Sequence, residues 1–157
     1  MGLKTNIIAL LACVVLAAPF STSGADERFV DNGDGTITDT ETNLMWAAHD
    51  NMGDITWHEA KLYCENPPIG GYKYLNWRMP TIEELRTLYD KNLTKRETDC
   101  SLTVKVYPPI HLSCAWVWSS EGKAISAYAF SFTRGYQYST LKMDKNNFRA
   151  LPVRNIK

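Results

Sequence analysis

The sequence predicts an α+β fold, with two helices packed on a twisted antiparallel sheet, an N-terminal hairpin and long loops. Three observations carry that prediction. Two Thr-x-x-Glu capping boxes, Thr56 with Glu59 and Thr81 with Glu84, each open a stretch of helical apolar spacing. From Ala115 onward the apolar period changes to two, the spacing of strands. Near the N-terminus a Gly-Asp-Gly turn joins "RFVDN" to "TITDT". Helices followed by a run of strands is the α+β order.

The chain begins "MGLKTNIIALLACVVLAAPFSTSGADERF", with an apolar run from Ile7 to Phe20 and small residues Ser23 and Ala25 at the minus-three and minus-one sites of a cleavage point. Residues 1–25 read as a secretory signal peptide, leaving a single domain over 26–157. The run is about 14 residues, short of the ~18 a membrane span needs, so no span is expected. The expected location is exported: periplasmic, cell-surface or secreted. An alternative is a lipoprotein, because "LLAC" at Leu10 to Cys13 fits a lipobox with Cys13 as the lipidated residue.

"DNGDGTITDTETNLMW", Asp31 to Trp46, carries aspartates and glycines at a density that suggests a calcium loop. An EF-hand loop needs oxygen ligands at positions one, three and five, glycine at six and glutamate at twelve. From Asp31 the third position is Gly33 and the twelfth Thr42, and from Asp34 the sixth is Asp39. Neither register works, so the stretch reads as tight turns, and no metal or other cofactor is expected. On the first helix Trp57, Ala60 and Cys64 share one face; on the second Ile82, Leu85 and Tyr89 do, with Pro80 fixing its start. "AWVWSS", "AYAFSF", "YQYSTLKM" and "FRALPVR" read as four strands, with turns at Glu121-Gly122, Arg134-Gly135 and Asp144 to Asn147.

Three cysteines follow the leader, so at most one bridge forms within the chain. Cys100 and Cys114 close a loop with little helical or strand pattern and are the expected pair, leaving Cys64 buried and free on its helix. Charge balances, 17 Lys and Arg against 17 Asp and Glu in the full chain, so a simple polyanion binder is not indicated and no nucleic-acid partner is expected. The distribution is less even, since residues 26–66 carry ten acids against two bases and residues 67–157 fourteen bases against seven acids.

No catalytic constellation is visible. His49, His58 and His111 are far apart in sequence, "HEAKL" lacks the second histidine of a zinc-protease helix, and no base falls on the face of Cys64. The expectation is a non-enzyme. In "NWRMPT", Trp77 and Met79 pack, Pro80 and Thr81 set the helix start with Glu84, and the Arg78 fork ties loop carbonyls or a carboxylate together. Of Trp116 and Trp118, at least one faces the core and the other is a candidate platform for a sugar ring; Trp118 is taken as the ligand-facing candidate. The basic set Arg134, Lys142, Lys145, Arg149 and Arg154, interleaved with Tyr136 and Tyr138, can converge on one surface if its strands are adjacent and antiparallel; the alternative is scattered solvating charge.

These blocks in this order, "DNGDGTITDTETNLMW", "TWHEAKLYC", "GGYKYLNWRMPTIEEL", "WVWSSE" and "FRALPVR", resemble a bacterial exported domain of unknown function found at the C-terminus of the Legionella collagen-like adhesin. The resemblance covers about Phe29 to Arg154. It implies a C-type lectin-like fold related to formylglycine-generating enzymes, and for the adhesin member it implies binding of sulfated glycosaminoglycans. The family often has a cysteine where this chain has Pro152, which leaves Cys64 without that partner. Glu-Pro-Asn, Gln-Pro-Asp and Trp-Asn-Asp, the calcium-sugar motifs of C-type lectins, are absent. The expected function is an exported recognition module for a glycan or a surface protein, with Arg134, Tyr136, Tyr138, Lys142, Lys145, Arg149 and Trp118 as ligand-facing residues. The alternative is a structural subunit of an envelope or surface assembly, and an enzyme of formylglycine-generating-like ancestry comes third. The sequence sets no oligomeric state.

Overall fold

Gly33 and Gly35, both at positive φ (73° and 86°), close a hairpin between β1 (Phe29–Asp31) and β2 (Thr36–Asp39). The aspartates serve the turns: Asp31 accepts the Gly33 N–H at 2.9 Å, and Asp34 accepts the Thr36 hydroxyl at 2.5 Å and the Tyr74 hydroxyl at 3.1 Å. β3 (Leu44–Ala47), buried throughout, continues the meander, and β10 (Val153–Asn155) pairs antiparallel with it. The first sheet, in the order β1-β2-β3-β10, thus joins the two ends of the domain. The computed structural model describes residues 2, 27–70 and 73–156; the expected signal peptide, its cleavage point and Cys13 lie outside the described residues.

Both capping boxes form. Glu59 Oε2 accepts the Thr56 N–H at 2.9 Å at the start of α1 (Trp57–Glu65), and Glu84 Oε2 accepts the Thr81 N–H at 2.8 Å at the start of α2 (Ile82–Thr87). Arg78 then fastens α2 to the last strand. Its guanidinium holds both Glu84 oxygens (2.7 and 2.8 Å) and Asn155 Oδ1 (2.9 Å), while its backbone pairs with Val153.

Burial pushes the Glu84 carboxyl up, but the Arg78 fork and the Thr81 N–H outweigh it and hold the carboxyl below its ordinary range. A depressed acid stabilises the fold above its unfolded pKa, about 4.3, and the contribution fades as pH falls through the folded value. Thermal melts between pH 6 and pH 3 should therefore show a steeper loss of stability in the wild type than in Glu84→Gln, with the two curves converging at the acid end. Parallel curves would remove the pair from the acid response.

The segment between the helices and the second sheet is bridged by a disulfide from Cys100 to Cys114. The region expected to lack pattern holds a two-stranded ribbon of β4 (Arg96–Glu97) and β5 (Thr103–Val104), and Val104, Val106 and Ile110 sink into the core. A cis bond joins Pro108 and Pro109.

The second sheet has the order β8-β7-β6-β9, built from β6 (Trp116–Gly122), β7 (Ser126–Ser131), β8 (Tyr136–Leu141) and β9 (Phe148–Arg149). Two expectations are corrected here. "FRALPVR" is two strands, not one: β9 pairs with β6, and the chain then crosses at Leu151-Pro152 to become β10 in the first sheet. Pro152 has no N–H to continue a ladder, and its carbonyl accepts Ala47 N–H instead (2.9 Å). The β6–β9 pairing is also parallel, so the sheet is mixed.

Alternation along β6 buries both faces of this sheet. Val117 and Phe130 face a core shared with Ile37, Trp46, Leu85 and Leu88. Trp118, Ala127 and Ala129 face the other way, toward Ala60 and Cys64 of α1. No helix of the described residues is long and apolar enough to cross a membrane.

Candidate functional site

Strand register sets large residues around small ones on the α1-facing side of the second sheet. Trp116 lies across from Ser131, which lies across from Tyr136; Trp118, Ala129 and Tyr138 form the next row. Ser131 and Ala129 on the middle strand are small and buried, so the Trp116 ring reaches across them to Tyr136 and Tyr138. Trp116 is only half covered: its ring lies 5.0 Å from Tyr138, 5.8 Å from Tyr136 and 6.1 Å from Phe148, centroid to centroid. The turn after β8 rises beside these rings and closes a groove of about 500 Å³, lined by Trp116, Tyr138, Thr140, Met143, Asp144, Lys145, Asn146 and Phe148.

The polar rim is partly uncommitted. Thr140 Oγ1 donates to Asp144 Oδ2, whereas among the described residues the Lys145 and Asn146 side chains make no hydrogen bond to the protein. Aromatic planes on one wall and free donors and acceptors on the other suit a ligand with an apolar face and hydroxyl edges.

The expected site residues do not all gather here. Tyr138 and Lys145 line the groove, and Tyr136 backs Trp116 from its rim; both tyrosines are exposed. Lys142 turns aside, its ammonium 4.3 Å over the Trp57 ring and bonded to Ala124 O at 3.4 Å, beside a second cleft lined by His58 and Ile125. Arg134 sits in the turn at the far end of β8, about 20 Å of extended chain from Lys142. That turn needs Gly135: a Cβ there would lie 2.3 Å from the Tyr89 ring, and φ is +74°. Arg154 is drawn to Leu75 O and the Tyr74 ring.

Two positions are corrections. Trp118 is fully buried, with its indole N–H donating to Ile55 O at 2.9 Å and its ring stacked on Phe148 at 4.3 Å, so the accessible tryptophan is Trp116. Both point to the same face, as residues two apart on a strand must, but the chain leading into α1 covers only the second.

Arg149 is 5% exposed and belongs to a buried polar knot. Its Nε donates to Ser113 Oγ at 2.7 Å and its Nη1 to Asp54 Oδ1 at 2.7 Å; Ser113 in turn donates its hydroxyl (2.8 Å) and N–H (2.7 Å) to Asp50. Burial pushes the Asp50 carboxyl up, against the pull of Ser113, the Met52 N–H and Arg149. Folding also undoes the charge segregation of the sequence: the hydrogen bond from Arg149 and the Asn147 N–H hold the Asp54 carboxyl down, the Thr56 N–H and hydroxyl hold Glu59 down, and Lys145 adds a weaker pull on both.

Trp77 and Met79 are buried beneath the "NWRMP" stretch. Cys64 is buried and free, and burial, with Glu65 adding, pushes its thiol far up, which suits packing. His49 and His111, distant in sequence, stack with centroids 5.0 Å apart; burial lowers the His111 pKa, assisted by His49 and Arg96.

Sequence reasoning missed Trp116, Thr140, Met143, Asp144, Asn146 and Phe148 as groove residues. The one signal that bore on them was the alternation of "WVWSS", which marks a face without saying which part of it is covered. Among curated proteins, none matches this chain. The model of the Lcl C-terminal domain matches residues 35–154, a span that takes in both capping boxes, the disulfide, the groove and all strands but β1 and the end of β10, and the chain therefore belongs to that family.

Proposed function

We propose that the domain is a non-catalytic, exported recognition module that binds a saccharide ring in the Trp116–Tyr138 groove. The observation that carries this reading is the groove itself, where an aromatic wall faces the uncommitted side chains of Lys145 and Asn146. A pyranose presents an apolar face to such a wall and hydroxyls to such a rim. Family membership and a disulfide, which persists in oxidising compartments, fit a surface setting. The pairing of terminal strands in one sheet, with two helices flanking a second, supports reading the α+β domain as C-type lectin-like.

The arrangement favours stacking over charge. Arg149 is buried, Arg134 is remote, Lys142 is held over Trp57, and Lys145 lies near Asp54 and Glu59, so no dense cationic surface faces a sulfated chain. Saccharide binding should therefore persist at 0.5 M salt. On a glycan array, Tyr138→Ala should lose signal several-fold, up to roughly tenfold, since an aromatic contact is worth about 0.5–1.5 kcal/mol beyond the area it buries. Its circular dichroism should be unchanged because Tyr138 is exposed. Binding unaffected by Tyr138→Ala, or abolished by salt alone, would overturn this site.

A further inference from the structure

The three histidines are far apart in sequence, and folding sets two of them side by side. His49 and His111 are matched across an isolated parallel bridge, in which the His111 N–H donates to Ala48 O at 2.8 Å and its carbonyl accepts the Asp50 N–H at 3.4 Å. Residues matched in this way project from the same face, and the two imidazoles lie with centroids 5.0 Å apart and planes 16° from parallel. Both residues are exposed. Among the described residues no nitrogen of either ring is engaged in a hydrogen bond or ion pair with the protein. We propose that His49 and His111 together form a binding site for a divalent transition-metal ion, with copper(II) preferred and nickel(II) and zinc(II) held more weakly.

Neutral imidazole is the commonest protein ligand for these metals, and the affinity of a nitrogen site rises along the first-row series to copper(II). Two nitrogens bound at about 2.0–2.1 Å to one ion stand roughly 3 Å apart, so each ring has only to turn on its own side chain, which no hydrogen bond restrains. The backbone beneath stays in place. Asp50 and Ser113, beside the two histidines, are buried and tied to each other by hydrogen bonds of 2.7 and 2.8 Å, and Cys114 carries the disulfide. The spacing of the two ligands is therefore set before the metal arrives. Nearby charges oppose each other: Arg96, whose guanidinium is committed to Val106 O and Ile110 O, disfavours a cation at His111, and Asp31 favours one. No group of three His, Cys, Asp or Glu gathers among the described residues, so water completes the coordination and the ion stays exchangeable. The site shares no residue with the aromatic groove.

Calorimetric titration of the untagged domain with copper(II), nickel(II) or zinc(II) chloride, from micromolar to millimolar, tests the site. A single ion should bind per chain, copper(II) tightest, and the melting temperature should rise with metal concentration because only the folded chain holds the two rings together. His49→Gln or His111→Gln leaves one ligand and should weaken binding roughly tenfold or more. His58→Gln, which removes the exposed histidine of α1, should leave binding unchanged. In proton NMR the ring signals of His49 and His111 should broaden together at substoichiometric copper(II). Circular dichroism checks that the variants fold, and the broadening in the wild type decides alone should a glutamine variant fail. A domain that takes up no copper(II) at millimolar concentration overturns the proposal. So does uptake that either glutamine variant retains at full strength, uptake abolished by His58→Gln, or broadening confined to one of the two rings.

Discussion

Replacing Arg149 by methionine is expected to destabilise the domain by about 3 kcal/mol, the cost of leaving a buried ion-paired network without one partner. The guanidinium satisfies Ser113 and Asp54 directly and lies within electrostatic reach of Asp50, which is 2% exposed. A methionine fills the volume but leaves the Asp50 carboxylate buried with less compensation. For a domain of this size the melting temperature should fall by about 10 °C. The pH response gives a second signature. Asp50 already has a folded pKa above its unfolded one, so its ionised form weakens the fold progressively as pH rises from about 3.9 through the folded value. Without Arg149 that window extends upward, and the deficit should be larger at pH 7 than at pH 4.5. A loss below about 1 kcal/mol, or a deficit independent of pH, would show that the knot contributes little.

Reducing the Cys100–Cys114 bridge, or replacing both cysteines by serine, is expected to cost about 2–4 kcal/mol. The loop closed is short, 14 residues in sequence separation, so the chain-entropy contribution is at the lower end. Ser113, next to Cys114, anchors the Asp50–Arg149 knot, and its carbonyl accepts the Cys100 N–H at 3.3 Å. Loss of the bridge should therefore couple to Arg149→Met: the double change should differ from the sum of the single ones by about 0.5 kcal/mol or more. Denaturant melts with and without reductant measure both quantities. Peptide mapping without reduction should recover Cys100 linked to Cys114 and Cys64 unmodified until the chain unfolds; additive energies would detach the bridge from the knot.

Much of the fold was legible because its signals are local. A capping box needs only residues three apart, and Thr56–Glu59 and Thr81–Glu84 start their helices where the sequence places them. The Gly-Asp-Gly turn needs only two residues free to take positive φ. The bridge could be chosen because Cys100 and Cys114 are near in sequence, so one short loop brings them together.

The candidate site was legible in its residue types and not in its geometry. Arg149 reads as one cation among several, and nothing within its strand announces that Asp50, Asp54 and Ser113, up to 99 positions away in other loops, will enclose it. Trp116 and Trp118 carry the same pattern. Which of them stays accessible depends on where the chain leading into α1 crosses the sheet. "FRALPVR" looked like one strand because alternation reports a half-buried surface without naming the sheet that buries it. By itself, then, the sequence determined the helix starts, the Gly-Asp-Gly and Arg134-Gly135 turns, the bridge and the chemical character of the strands, since those rest on interactions between near neighbours. The turn expected at Glu121-Gly122 falls at 123–125 instead, because β6 runs on through Gly122. Only the tertiary structure decided which tryptophan stays partly accessible, which arginine is buried and which sheet each strand joins, because burial is set by the elements that come to lie on top.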